Sequence, residues 1–159
     1  MTSIYLIRHG QASFGEANYD RLSITGIEQA KLLGKHWHSQ RKLISDNPTK
    51  NYVFTGELER QIHTSAHFAS FANQQAVSEV ISELNEFDHQ DILLTSSLKW
   101  KNLEQVRQQY EGRDDALLEL GKVFHQATLR WTSQKHCDEY KESWSQFKSR
   151  CVSALNKIT

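Results

Sequence analysis

Short apolar runs alternate with segments of helical periodicity along the first half of this chain. Residues 4–7 form a nearly continuous apolar run, residues 52–54 form a second short run, and residues 76–81 are a third candidate strand. A run that is apolar on both faces is typical of a strand buried inside a parallel sheet. Because strands that alternate with helices favour parallel pairing, the pattern predicts an α/β domain with a mostly parallel sheet.

Apolar side chains recur at helical spacing between and after these runs. The first predicted helix follows a polar loop, where Thr25 and Glu28 offer a capping box and Ser23 is the alternative cap. Its apolar stripe comprises Ile27, Ala30, Leu33 or Gly34, and Trp37. A second helix is predicted from the stripe Leu58, Ile62, Ala66 and Ala69. The sequence predicts helices over most of residues 117–158 and a loop around Pro48.

Composition narrows the classes of partner. The 159 residues are 38% hydrophobic, which is enough for the core of one globular domain. The 19 basic residues balance the 19 acidic ones, so no broad basic surface is expected for nucleic acid or an anionic membrane. No apolar run is long enough to span a bilayer. Cys137 and Cys151 are predicted to be free thiols, and the cytoplasm is the expected location.

Polar residues follow the first predicted strand directly. Arg8, His9 and Gly10 come at its carboxyl end, where open α/β sheets bind their ligands. An arginine and a histidine there can face one ligand together, while glycine lets the backbone turn closely. The alternative is a surface strand end that merely carries polar side chains. These three residues alone do not separate the two interpretations.

Arg60 is a second candidate anion ligand. It lies in the first turn of the second predicted helix, where a cation is locally unfavourable because the helix N-terminus already carries partial positive charge. An anion docked at that terminus would explain it, and the guanidinium fork suits phosphate. The alternative is an exposed arginine that pairs with Glu57 or Glu86.

Four sequence blocks in order resemble the histidine phosphatase superfamily, whose members include cofactor-dependent phosphoglycerate mutases. The signature block is Leu6-Ile7-Arg8-His9-Gly10, and the first-helix block is Leu22-Ser23-x-x-Gly26-x-x-Gln29-Ala30. The second-arginine block is Leu58-x-Arg60-x-x-x-Thr64, and the acidic block is Leu84-Asn85-Glu86. The resemblance implies a three-layer sandwich in which helices flank a mostly parallel central sheet.

The resemblance also implies a mechanism. The imidazole of His9 would attack phosphorus in line and form a phosphohistidine. Arg8 and Arg60 would disfavour the imidazolium, which keeps His9 nucleophilic, and would stabilise the transferring phosphoryl group. Glu86 would protonate the leaving oxygen and then deprotonate the attacking water. The implied function is hydrolysis of phosphomonoesters, with mutase-type phosphoryl transfer as an alternative.

The remaining site residues follow from the same resemblance. Gly10 and Ser13 are expected beside the phosphate, and Glu83 and then His89 are the alternatives to Glu86 as the acid. The expected partner is a small phosphorylated substrate or inorganic phosphate, with no metal and no cofactor. The pair His63 and His67 has a spacing that can bind zinc, but it lacks the adjacent glutamate of the metalloprotease motif and an obvious third ligand.

One departure from the family pattern concerns a second histidine. Family members carry another His-Gly pair on a strand that follows a long helix, whereas only His9 among the eight histidines here precedes glycine. The predicted helix over residues 142–158 resembles the one before that strand. We therefore expect a single domain over residues 1–159 that lacks its last strand or strands. A homodimer could cover the exposed sheet edge, and a catalytically impaired phosphate-binding or regulatory homologue is an alternative function.

Overall fold

The chain divides into two compact units, Met1–Glu86 and Phe87–Thr159. The computed structural model describes residues 3–13, 20–44, 52–72, 77–97 and 99–159. The predicted loop around Pro48 lies outside these residues. The predicted single domain over residues 1–159 stays a prediction.

The first unit combines two long helices with a pair of parallel strands. Its elements are α1 (Ile24–Ile44), β1 (Tyr52–Thr55), α2 (Glu59–Phe71), β2 (Val77–Val80) and a 3-10 turn (Ser82–Leu84). The strands pair in parallel with Tyr52 opposite Val77 and Thr55 opposite Val80. The predicted strands at residues 52–54 and 76–81 and their parallel pairing are therefore confirmed.

The predicted buried strand at residues 4–7 is wrong. These residues form no strand, and their side chains are exposed, with Leu6 at 85%. An apolar run makes burial favourable, but a strand also needs a neighbour that accepts and donates backbone hydrogen bonds. Within the described residues β1 and β2 pair only with each other, so the run joins no ladder. Tyr5 instead packs edge-on against Trp37 of α1, with ring centroids 4.6 Å apart.

Helices α1 and α2 pack closely because α1 has a glycine, Gly34, where the two helices meet. A Cβ atom on Gly34 would clash with the carbonyl oxygen of Phe68, so the two helices approach at a position without a side chain. Trp37 packs edge-on against Phe68 at 5.9 Å between centroids.

The N-terminus of α1 is capped by a serine. The hydroxyl of Ser23 accepts a hydrogen bond from the N–H of Gly26 at 3.1 Å. Ser23 thus caps α1, and the capping box expected from Thr25 is not the cap used.

The buried face of α2 differs from the predicted apolar stripe. The buried residues are Arg60, Thr64 and Phe68, spaced four apart, whereas Ile62 of the predicted stripe is 39% exposed. The predicted second helix is confirmed, but the apolar residues that marked it do not form its buried face. Here that face is selected by the ion pairs and hydrogen bonds of a buried arginine and a buried threonine.

The second unit is helical, as predicted. Its helices are α3 (His89–Ser96), α4 (Leu103–Tyr110), α5 (Ala116–Thr132) and α6 (Trp144–Ile158). One core cluster contains Ile92, Ala127, Trp131 and Tyr140, and another contains Leu93, Trp100, Val106 and Tyr110. Cys137 and Cys151 are free thiols, as expected. Among the described helices, none has the length and apolarity that crossing a membrane requires.

Candidate active site

His9, Arg60 and Glu86 meet at one point of the first unit. The Nε2 atom of His9 lies 3.3 Å from Oε2 of Glu86 and 3.3 Å from Nε of Arg60. The Nη2 atom of Arg60 donates to the same Glu86 oxygen at 2.7 Å. A guanidinium, an imidazole and a carboxylate thus share one location, although the three residues are far apart in the sequence.

The ring of His9 is oriented by the backbone. Its Nδ1 atom lies 2.7 Å from the carbonyl oxygen of Gly10. Because a carbonyl oxygen only accepts, Nδ1 carries a proton. In the neutral ring, Nε2 then holds the lone pair and accepts from Arg60. In the protonated ring, Nε2–H donates to Glu86 instead.

The side chain of Arg60 is buried but fully engaged with polar groups. The residue is only 4% exposed. Nη1 donates to Oδ1 of Asp20 at 2.6 Å, on the edge away from Nε, while Nη2 donates to Glu86. Burial of a guanidinium is tolerated only when opposite charges and hydrogen bonds compensate it, and two carboxylates do so here.

Asp20 is a site residue that the sequence analysis missed. Its second oxygen, Oδ2, accepts a hydrogen bond from the N–H of Glu59 at 2.9 Å, in the first turn of α2. Leu58, at the N-cap position, has no side-chain cap. Asp20 therefore caps α2 from a distance while it holds Arg60. No pattern in the sequence marks Asp20, because its role depends on the burial of Arg60, whose several donors need more than one acceptor.

Glu86 is held in place through the two residues before it. The side chain of Asn85 accepts from the N–H of Glu57 at 2.6 Å and donates to the Glu57 carboxylate at 3.3 Å. The amide of Gln61 donates to the carbonyl oxygen of Leu84 at 2.9 Å. These contacts tie the segment after β2 to the turn before α2 and to its first residues, which brings the acid to Arg60.

The Gly10 peptide is held between α1 and α2. Its N–H donates to Oγ1 of Thr64 at 3.0 Å, and that hydroxyl donates to the carbonyl oxygen of Arg60 at 2.7 Å. A Cβ atom on Gly10 would clash with the carbonyl oxygen of Gly26, and one on Gly26 would clash with that of Gln11. The backbone beside His9 thus depends on two glycines and a threonine.

The ion pair shifts the pKa values of both partners. The hydrogen bond from His9 and the charge of Arg60 lower the pKa of Glu86 from 4.5 to about 2, although burial opposes this. The hydrogen bond with Glu86 raises the pKa of His9 above 6.5, although burial and Arg60 lower it. The net shift in the pKa of His9 is therefore opposite to the one expected from the arginines. Arg60 does act in the expected direction, but the adjacent carboxylate outweighs it.

Arg8 and Ser13 stand apart from these contacts. The side chain of Arg8 is exposed, and Ser13 is buried with its N–H donating to the carbonyl oxygen of Arg21 at 2.8 Å. Within the described ranges, neither is hydrogen-bonded to His9, Arg60 or Glu86. Their phosphate-binding roles stay predictions.

The structure also describes Glu83 and His89, the alternatives to Glu86 as the acid, and the histidine pair considered for zinc. Glu83 accepts from the hydroxyl of Ser82 at 3.4 Å, and His89 begins α3 in the second unit. His63 is exposed on α2. Over the part of the chain that the structure describes, no group of three or more histidine, cysteine, aspartate or glutamate side chains could hold a metal ion.

Comparison with models of known protein families gives a match. The family model described as Histidine phosphatase superfamily (branch 1) matches residues 4–159 of the chain. No curated protein matches significantly, and neither does any solved structure. The matched range includes each residue of the cluster described above.

Proposed function

This chain belongs to the histidine phosphatase superfamily, and from that membership we propose that it hydrolyses phosphomonoesters through a phosphohistidine on His9. Membership by itself indicates phosphatase or phosphoryl-transfer chemistry and small phosphorylated substrates. It also supports the three-layer sandwich with a mostly parallel central sheet, to which the parallel pair β1–β2 would belong. The specific reaction and the role of each residue are the proposal.

The observation that supports it most is the environment of Nε2 in His9. The Gly10 carbonyl holds the proton on Nδ1, so the neutral ring directs a lone pair toward the edge of Arg60 formed by Nε and Nη2. That edge can donate two parallel hydrogen bonds to a phosphoryl group. A nucleophile and a pre-oriented oxyanion donor therefore face the same space, as phosphoryl transfer requires.

The carboxylate of Glu86 occupies the position that a phosphoryl oxygen would take. Its Oε2 atom accepts from Arg60 at 2.7 Å and lies 3.3 Å from Nε2 of His9. In our proposal the entering dianion replaces this oxygen on both partners. Glu86 then loses the contacts that lower its pKa and gains a negative neighbour, so its pKa rises and it takes the proton from Nε2 of His9, which leaves His9 as the neutral nucleophile.

The proposed reaction has two steps. Nε2 of His9 forms a bond to phosphorus while the bond from phosphorus to the ester oxygen breaks, and that oxygen takes a proton from Glu86. A water molecule then gives a proton to the Glu86 carboxylate, and its oxygen attacks phosphorus. The bond between nitrogen and phosphorus breaks, inorganic phosphate leaves, and both residues return to their starting forms.

Arg8, Ser13 and Gly10 have supporting roles in the proposal. Arg8 directly precedes His9, and its exposed guanidinium is proposed to bind a phosphate oxygen once the substrate is present. Ser13 is proposed to contact the same group through its hydroxyl. Gly10 is proposed to act through its carbonyl oxygen, which orients His9, because its N–H already donates to Thr64.

Hydrolysis of an aryl phosphate tests this function. We expect wild-type turnover to fall to background in His9→Ala and about 10²- to 10⁴-fold in Glu86→Gln, the range for loss of a general acid. Glu83→Gln is the matched control, because it changes a nearby glutamate outside the cluster, and should keep wild-type activity. A background rate in wild type, or full activity in His9→Ala, would contradict the proposal.

A non-catalytic phosphate-binding domain is the second candidate. The pKa of Glu86, lowered to about 2, favours it, because a carboxyl group that stays ionised donates no proton. This candidate predicts that orthovanadate raises the melting temperature while aryl phosphate is not turned over. The enzyme proposal predicts both stabilisation and turnover, so the two measurements together separate the candidates.

A further inference from the structure

We propose that Asp20 is a positioning residue that determines which edge of Arg60 binds the phosphoryl group. The inference rests on the proposed function, and it concerns a residue that contacts neither His9 nor the reacting atoms in that mechanism. Its basis is the pair of hydrogen bonds that Asp20 accepts, one from Nη1 of Arg60 and one from the backbone of Glu59.

A guanidinium presents two different forks. One is formed by Nε and Nη2 along its side, and the other by Nη1 and Nη2 at its end. Oδ1 of Asp20 engages Nη1 at 2.6 Å, so an oxyanion at the end-on fork would compete with Asp20 for this nitrogen. Nε and Nη2 are left as the pair that faces His9 and Glu86, so the side-on fork is the one presented to an oxyanion.

The second oxygen of the Asp20 carboxylate helps to fix the orientation of the Arg60 guanidinium. Oδ2 accepts from the N–H of Glu59 at 2.9 Å, so the carboxylate is anchored to the backbone next to Arg60. Two contacts from one carboxylate to adjacent residues fix both the start of α2 and the plane of the guanidinium. An arginine held only at its Cα would lose more side-chain entropy when it bound an anion.

Asp20 compensates the buried charge of Arg60, but it also places a negative charge on the arginine that is proposed to bind a dianion, and like charges repel each other. Of the three partners of Arg60 described above, Glu86 and His9 would change contacts when the anion enters, whereas Asp20 would keep its own. Asp20 is thus the partner that can keep the guanidinium oriented while the anion binds.

Orthovanadate binding and aryl phosphate kinetics of Asp20→Asn and Asp20→Ala test the inference. We expect vanadate affinity and kcat to fall about tenfold to a hundredfold in Asp20→Ala, the range for hydrogen bonds to charged groups. The loss should be smaller in Asp20→Asn, which keeps one acceptor for Nη1. The 1H–15N signal of the Arg60 Nε–H, identified by its absence in Arg60→Lys, should shift in both variants.

The control is Glu142→Gln, which weakens the bidentate pair of Glu142 with Arg150 in the second unit. This variant should lose stability without losing vanadate affinity. Should Asp20→Ala not fold, Asp20→Asn alone decides, because it preserves shape. Tighter vanadate binding by Asp20→Asn would show that only repulsion matters and would overturn the inference, as would unchanged kinetics. Absence of vanadate binding to wild type would instead overturn the proposed function, and this inference with it.

Discussion

Nη2 of Arg60 donates to Oε2 of Glu86 across 2.7 Å, which joins the start of α2 to the segment that follows β2. The same oxygen lies 3.3 Å from Nε2 of His9. One carboxylate oxygen thus bridges the groups that the proposal assigns to the phosphoryl group.

Glu86→Gln should lower the pKa of His9. The hydrogen bond to Glu86 is the largest cause that raises this pKa, while burial and Arg60 act in the opposite direction and remain in the variant. NMR titration of the imidazole nitrogens measures it, with His9→Gln to identify the signal among eight histidines. Glu83→Gln serves as the control and should leave the titration unchanged. An equal or higher pKa in Glu86→Gln would mean that the pair does not form in solution.

The ion pair should stabilise the fold most between about pH 4.5 and 6.5. The pKa of Glu86 is lowered from 4.5 to about 2, so its contribution is present above pH 4.5 and is lost as pH falls toward 2. The pKa of His9 is raised, so its contribution is complete below pH 6.5 and is lost as pH rises through the raised value.

The measurement is the difference in free energy of unfolding between wild type and Glu86→Gln across pH. Because the Glu86 side chain is about a third exposed, solvent screens the interaction and the maximum will be modest. A flat difference, or one that grows steadily above pH 7, would count against a His9–Glu86 pair.

Arg60→Lys should impair both anion binding and stability. Lysine keeps the charge but has no planar fork, so it cannot serve Asp20 and Glu86 while it faces His9. We expect the free energy of unfolding to fall by about 1–3 kcal/mol and vanadate affinity to fall at least about tenfold. Arg150→Lys removes a comparable fork in the second unit, and should lower stability alone. Wild-type vanadate affinity in Arg60→Lys would refute a role for the fork.

Gly26→Ala should destabilise the backbone beside His9. The added Cβ atom would clash with the carbonyl oxygen of Gln11, which cannot move away as a flexible side chain could. Overpacking of this kind costs about 1–3 kcal/mol. Gly121→Ala is the control, because nothing lies within 4 Å of its added Cβ atom in α5, and it should gain about 0.5–1 kcal/mol from helix propensity. Chemical denaturation of both variants decides whether this close approach exists.

The strands were predictable where a segment with a strand-like sequence pattern also has a neighbouring strand with which to pair. The runs at residues 52–54 and 76–81 became β1 and β2 because each has the other as a parallel neighbour. The run at residues 4–7 is also apolar but pairs with neither strand, so its apolarity alone did not produce a strand. Periodicity predicts what a segment can form, whereas pairing depends on a distant partner.

Of the predicted site residues, His9, Arg60 and Glu86 meet, whereas Arg8 lies apart from them. Arg60 was identified because a cation in the first turn of a helix calls for a compensating anion. Asp20 was missed because no local pattern marks the carboxylate that neutralises a buried guanidinium. The direction of the His9 pKa shift was missed for a related reason. The shift depends on whether an arginine or a carboxylate contacts Nε2 more effectively, and that is a matter of geometry.

Identification of a phosphorylated residue during turnover tests the central claim most directly. Wild-type protein is mixed with an aryl phosphate, quenched at alkaline pH where phosphohistidine survives, and digested for mass spectrometry, with His9→Asn as the control. We predict one added phosphoryl group on the peptide that contains His9, assigned to His9, and none in the variant. Turnover with no phosphorylated residue, or with the phosphoryl group on another side chain, would contradict the role assigned to His9.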